Sequence, residues 1–348
     1  METSLVRDAI RALRERLPEG WRVESEAGAG KGRERGADAV ATITAPDRRV
    51  GKVWIEAKTR VSPKDALLIA GVADLAWAGA VLVVSPFLSK STRDRLREEK
   101  LNWLDLTGNL RLVLRRPGLF IETQGDERRV GGGKGPARTL KGQTAGRVVQ
   151  AMLTAAPPVG VIELAQRAGT DPGYTSRVLE LLDTEALVER ERRGPITKVN
   201  RARLVRRWAE DAPLAGRGRV ESFLDPRGIG ALMDKLRGTR LRYAITGSVA
   251  AQQWAPIAAP RLAQVYVREG LEKSAEELGL RPAREGANVQ LIRPKDLGIV
   301  DSARRGNDGL YYAKPLQVVV DLLTSPGRAP SEGEELLEWM SERPDVWA

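Results

Sequence analysis

The spacing of apolar residues changes several times along the chain, and each change marks an element. Near the middle, Val148, Met152 and Leu153 recur at helical spacing, Val161 to Ala168 forms a second such run, and Gly173 to Glu185 a third. Ala186–Arg190 and Ile196–Val199 then read as two short strands. Between the second and third helices lies Gly169-Thr170-Asp171-Pro172, in which Gly permits a left-handed turn and Asp-Pro opens the next helix. If Thr175, Leu179 and Leu182 face inward at i, i+4 and i+7, then Tyr174, Ser176 and Arg177 stand exposed at the start of the third helix. The pattern is a helix-turn-helix followed by a two-stranded wing, over residues 143–212.

The first 125 residues alternate strand and helix. METSLVRDAIRALRERL is an amphipathic helix, and Trp21–Glu26, Ala37–Thr44 and Val50–Ala57 read as strands. Asp65–Ala78 is helical, Gly79–Ser85 is an apolar run of the kind buried on both faces of a sheet, and Ser91–Glu99 is a further helix. Trp103–Thr107 and Leu110–Leu114 flank a turn at Thr107-Gly108-Asn109, to which we assign a structural role. Residues 126–142, in GDERRVGGGKGPARTLKG, have the composition of a flexible basic linker. Beyond 218 the spacing predicts a helix over Glu221–Arg237, strands at Tyr243–Ser248, Leu262–Val267 and Asn288–Arg293, and helices at Val249–Trp254, Glu272–Leu278, Leu316–Leu323 and Glu332–Met340. The expected fold is multidomain, α/β and α+β: an α/β domain over 1–125, the winged helix over 143–212, and an α/β domain over 218–348.

Composition narrows the chemistry. The 348 residues contain no cysteine and no histidine. Disulfides, thiolates, the usual zinc sites and imidazole acid–base catalysis are therefore excluded. The net charge of +11 favours polyanionic partners. Its clustering matters more: from Leu187 to Arg207 there are eight basic residues and two acidic ones. Six or so phosphate contacts from such a cluster would make binding fall steeply with salt. No apolar run reaches the length of a membrane span and no signal-peptide pattern opens the chain, so no membrane partner and a cytoplasmic location are expected.

The candidate chemistry follows from these elements. The stretch Gln143–Val199 resembles the winged helix-turn-helix family of bacterial regulators, a module that also serves as a protein–protein adaptor. The resemblance implies double-stranded DNA as partner, with Tyr174, Ser176 and Arg177 at the major groove and Arg190, Arg192, Arg193 and Lys198 on the wing against phosphates. That binding requires no cofactor, and a homodimer on two-fold half-sites or a further protein partner is compatible with it. In the first domain, Asp38 opens one strand and Glu56-Ala57-Lys58 closes the next, with Glu56 and Lys58 on one face because strand side chains alternate. Two carboxylates can hold Mg²⁺, and a lysine can orient water or meet developing negative charge. A capping role for Asp38 and a surface pair of Glu56 with Lys58 is the structural alternative.

Through RGADAVATI, VWIEAK and AVLVVSPFLS this domain resembles the PD-(D/E)xK, restriction-endonuclease-like superfamily. The resemblance implies a Mg²⁺-dependent endonuclease with Asp38, Glu56 and Lys58 catalytic, Asp38 and Glu56 holding the metal, and Glu15 as an additional acidic residue. The C-terminal region, through YAITGSVAAQQWAPIAAPRLAQVYV, resembles the minimal nucleotidyltransferase fold. Ala263-Gln264-Val265-Tyr266 stands where that family carries its D-x-D pair, which implies a degenerate, non-catalytic version. With the winged helix before it, this region resembles the antitoxin of AbiE-type (type IV) toxin–antitoxin systems; the additional N-terminal domain departs from that pattern. A transcriptional regulator, with a targeted nuclease as the alternative, is the resulting expectation.

Overall fold

The computed structural model describes residues 2–27, 37–76, 79–126, 139–191, 194–255 and 259–347. The chain divides into two compact units, Met1–Ala137 with Asp183–Ala186, and Arg138–Leu182 with Leu187–Ala348. The class is mixed α/β, with three sheets among the described residues. None of the described helices is long and apolar enough to cross a membrane.

In the first unit the order is α1 (Glu2–Arg16), β1 (Arg22–Ala27), β2 (Ala39–Thr44), β3 (Val50–Ala57), α2 (Pro63–Ala76), β4 (Ala80–Ser85), α3 (Lys90–Glu98), β5 (Asn102–Asp105), β6 (Leu110–Leu114) and β7 (Leu119–Thr123). The strands form one seven-stranded sheet in sequence order. β1, β2 and β3 are an antiparallel meander, β3, β4 and β5 run parallel, and β5, β6 and β7 are antiparallel again. The parallel strands need covered faces, and both are covered. Leu5, Ala9, Ile10 and Leu13 of α1 pack with Ile43, Val53, Ile55, Leu82 and Val84 on one side. Ala66, Ile69 and Ala73 of α2 and Leu96 of α3 pack with Val81, Val83 and Trp103 on the other. β4 thus sends alternate residues into two cores, which is why its sequence is a continuous apolar run.

The second unit opens with α4 (Gln143–Thr154), α5 (Val161–Ala168), α6 (Pro172–Thr184) and the ribbon of β8 (Val188–Arg190) and β9 (Ile196–Val199). Val159 bridges Ile196 and extends that ribbon. There follow α7 (Arg201–Asp211), α8 (Leu214–Arg217), β10 (Gly218–Leu224), α9 (Gly228–Gly238), β11 (Tyr243–Thr246), α10 (Gly247–Ala251), β12 (Ala263–Val267), α11 (Leu271–Glu277), β13 (Arg281–Pro282), β14 (Val289–Pro294), α12 (Gly298–Asp301), β15 (Arg304–Arg305), β16 (Tyr311–Tyr312), α13 (Pro315–Leu323) and α14 (Ala329–Ser341), ending in a short 3-10 turn at Pro344–Trp347. Its sheet runs β13-β10-β14-β12-β11-β16-β15.

The helix expected over Glu221–Arg237 is instead a strand, β10, followed by α9. Val220, Phe223 and Leu224 imitate helical spacing, but Gly218–Phe223 pairs antiparallel with Pro294–Val289 of β14. Long-range pairing overrides the local pattern here. One hydrophobic core runs through the whole second unit, from Leu140 through Leu204, Val205 and Trp208 to Val319, Leu337 and Trp347. Of the stretch read as a linker, residues 127–138 lie outside the described residues, whereas Leu140 is buried in this core. Its backbone N–H, together with the Thr139 hydroxyl, donates to the Asp211 carboxylate.

Candidate functional site

The start of α6 is built by its cap. Gly169 ends α5 at φ 58°, a left-handed conformation that glycine adopts without a Cβ penalty, and Thr170 N–H returns to the Ala165 carbonyl. The Asp171 carboxylate then accepts the Tyr174 N–H at 2.9 Å, with Pro172 and Gly173 between them. Inward-facing Thr175, Leu179 and Leu182 are fully buried, and Val178 and Leu181 are buried with them. Thr175 Oγ1 is 2.8 Å from Thr170 Oγ1, locking the helix to the preceding turn. Ser176 and Arg177 are exposed, and Tyr174 is half-buried with the Arg177 guanidinium 5.7 Å from its ring centroid. The Asp171 carboxylate thus engages the Tyr174 N–H, and Ser176 and Arg177 are exposed polar side chains of this helix start.

Among the described residues of the wing, one cation is paired across the ribbon. Arg192 and Arg193 lie outside the described residues. Lys198 is exposed but pairs across the ribbon with Glu189 at 3.0 Å, and Arg190, half-buried, follows a bulge between Glu189 and Arg190. In the helix after the wing, Arg201 donates to the Leu153 and Ala155 carbonyls and lies over the Trp347 ring. Arg206 forks onto Glu334, and Arg207 holds Asp211 at 2.8 Å. Arg201 and Arg206 tie α7 to the rest of its unit, while the Arg207–Asp211 pair lies within α7 itself. In this structure the three guanidinium groups are engaged by protein acceptors. Burial alone would raise the Asp211 pKa; the hydrogen bonds from Leu140 N–H, Thr139 and Arg207 outweigh it, leaving the carboxyl below the ordinary aspartate value.

The second candidate lies at the end of β3. Asp38 precedes β2, its backbone N–H donating to the Ile55 carbonyl and its Oδ2 accepting the Ala57 N–H at 2.7 Å. Lys58 Nζ is 3.1 Å from Glu56 Oε1, and Lys58 N–H donates to Val84 of the adjacent parallel strand. Backbone pairing therefore brings Asp38, Glu56 and Lys58 to one end of the sheet. Asp38 is exposed, and Glu56 and Lys58 are half-buried. Mg²⁺ takes one or two carboxylates and completes its shell with water and substrate phosphate, and Asp38 and Glu56 are the carboxylates at this strand end that would hold it. Among the described residues no cluster of three or more carboxylates gathers as a metal site. Glu15, exposed on α1, sits 3.9 Å from its neighbour Arg16.

At the carboxyl end of β5, the turn kept as structural proves to be organised by a buried carboxylate. Asp105 accepts from the N–H groups of Leu88, Thr107 and Asn109 and from the side chains of Thr107 and Asn109. An Asp two residues before Thr-Gly-Asn was the available signal for this knot.

In the C-terminal sheet the corresponding strand end is closed. Gln264 Nε2 donates to Gln290 Oε1 at 3.0 Å across paired strands. Gly247, at φ 64°, passes so close to Gln264 that any Cβ would collide with its amide. Asp321 is fully buried and accepts from Thr246 at 2.6 Å, Tyr266 at 2.9 Å and Gln317 at 2.8 Å. No carboxylate of β12 or β14 faces solvent here, because neither strand contains one.

No family model matches the chain, and no curated protein matches it. The crystal structure of the Megavirus polyadenylate synthase is similar at 9% identity and a TM-score of 0.27, over 59% of this chain and 43% of that one. This chain thus spans less than half of that structure's length, and a likeness of that depth carries no argument.

Proposed function

We propose that the protein is a duplex-DNA-binding transcriptional regulator that reads DNA with α6 and braces the flank with the wing. The observation that carries this reading is the first turn of α6. A capped, core-anchored helix presents Ser176 and Arg177 to solvent with Tyr174 beneath, beside a two-stranded ribbon. Such a helix is rigid where recognition needs rigidity, and its exposed groups can bond base edges and phosphates. On this reading the protein acts in the cytoplasm, and its C-terminal region is a non-catalytic, nucleotidyltransferase-like domain of an antitoxin-like repressor. The Gln264–Gln290 pair supports that last point, since amides bonded to each other offer no site for two metal ions. The test is selection of bound duplexes from a random pool by the full chain, followed by anisotropy titration. Saturable binding to an enriched sequence, with a salt slope of about −0.9 per phosphate contacted, is expected. Failure to enrich any sequence would overturn the reading, and two-fold symmetry in the selected sites would indicate a dimer.

A second reading is favoured by the juxtaposition at the end of β3. There the first unit acts as a restriction-endonuclease-like, Mg²⁺-dependent nuclease addressed by the winged helix. Asp38 and Glu56 would hold the ion, which supplies Lewis-acid polarisation of the phosphodiester when bound, and Lys58 would hold a water or meet developing negative charge. Mg²⁺-dependent nicking of supercoiled DNA that disappears with Lys58→Ala is expected on this reading, and nicking that survives the substitution excludes it.

A further inference from the structure

Within the second unit lies a cleft that neither reading uses. One lobe, of about 370 Å³, opens between the start of α4, the α7–α8 junction and the segment joining β14 to α12. A second, of about 590 Å³, continues along α4 towards the start of α13 and Trp347. The lobes share Arg147, Gln150, Asp296, Ile299 and Gln317. Concavities of this size suit small organic molecules.

The walls combine two kinds of chemistry. Five cations line the lobes, Lys141, Arg147, Arg167, Lys295 and Lys314, against the carboxylates of Asp211 and Asp296. Asp211 is already bound by Arg207, Thr139 and Leu140, and Asp296 accepts from Gly298 N–H. Arg167 pairs with Glu163, and Lys295 donates to the Gly216 carbonyl. Lys141, Arg147 and Lys314, all exposed, have no ion pair or side-chain hydrogen bond among the described residues. In addition, Gly142, the residue before α4, caps no N–H with a side chain, and Gly142, Gln143 and Gly146 at this helix start line the first lobe. Beside these lie Trp208, Ala212, Pro213 and Ile299 as an apolar wall.

We infer that this cleft binds a small phosphorylated organic molecule, its phosphate held by Arg147, Lys141 and the start of α4 and its apolar body by Trp208 and Ile299. Unpaired cations gathered on a concave wall raise the local positive potential, and an uncapped helix start favours an oxyanion over a neutral polar group. The concave lobes, of about 370 and 590 Å³, match a small molecule better than a nucleic-acid backbone, which would need a long track. The inference is independent of the DNA-binding reading, since none of these residues lies on α6 or the wing.

The probe is 1-naphthyl phosphate, titrated into the full chain and followed by calorimetry, with inorganic phosphate and 1-naphthol as its two halves. Saturable binding at one site per chain is expected, with each half weaker by about tenfold or more, which is about 1.4 kcal/mol. Arg147→Glu should weaken the probe by about tenfold, while Arg240→Glu, the same charge change at an exposed position outside the cleft, should change it by less than about twofold. Both positions are exposed and neither has a partner to lose, so the fold is retained and circular dichroism checks it. Equal losses for the two variants, equal binding of 1-naphthol, or no saturation with folded protein would overturn the inference.

Discussion

Two sheet ends in this protein carry polar side chains, and they have opposite character. At the end of β3, Asp38 is exposed and accepts the Ala57 N–H, and half-buried Lys58 pairs with half-buried Glu56. At the end of β11 and the start of β12, Gln264 and Gln290 bond to each other, and Asp321 is saturated by Thr246, Tyr266 and Gln317 inside the core. The difference teaches that placing polar residues at strand ends is not enough for chemistry. What matters is whether the surrounding residues leave those groups available. Polar groups that satisfy one another inside the core contribute stability; groups at the surface exchange their partners with solvent and can contribute binding.

That contrast can be broken at its strongest point first. Asp321→Ala strands three buried donors at once and should destabilise the second unit by about 3–5 kcal/mol, read from chemical denaturation; a cost below about 1 kcal/mol would show that the pocket is wet. Asp211→Asn should cost about 1.5–3 kcal/mol through its hydrogen bonds from Leu140, Thr139 and Arg207. Its folded-state pKa is lowered, so this stabilisation is present above the ordinary aspartate value and is lost as pH falls through the lowered one. The difference between wild type and Asp211→Asn, measured from pH 7 downward, should therefore shrink below about pH 4. Arg177→Ala should leave stability within about 0.5 kcal/mol yet cost about 1–3 kcal/mol in binding a selected duplex, a split that separates a recognition residue from a structural one. The smallest stability effects belong to the open end of β3. Lys58→Ala should stay within about 1 kcal/mol, and a larger loss would move that cluster from candidate chemistry to structure.

Much of this was legible in the chain. The boundaries of β3, β6, α5 and β9 follow from spacing alone. So does the capped start of α6, because Gly-Thr-Asp-Pro encodes both a stop and a start within four residues. β10 was not legible, since its identity depends on β14 more than sixty residues later. Nor was the fate of Arg201, Arg206 and Arg207. Their number reads as a polyanion-binding cluster, but Leu153 and Glu334 engage Arg201 and Arg206 from positions so distant in sequence that they leave no trace in local composition, whereas the i,i+4 pair of Arg207 with Asp211 could have been read from the chain. The cleft beside α4 was equally invisible, being assembled from segments that share no motif.

The way α7 is held has a consequence for anyone reusing this protein's parts. Leu204, Val205 and Trp208 are buried in a core that extends to Trp347, and Arg201 and Arg206 reach the last elements of the chain. The winged helix is therefore not a portable cassette. A chimera that grafted residues 139–211 onto another scaffold would carry an unsealed hydrophobic seam along α7, where Leu204, Val205 and Trp208 would lose the residues that cover them.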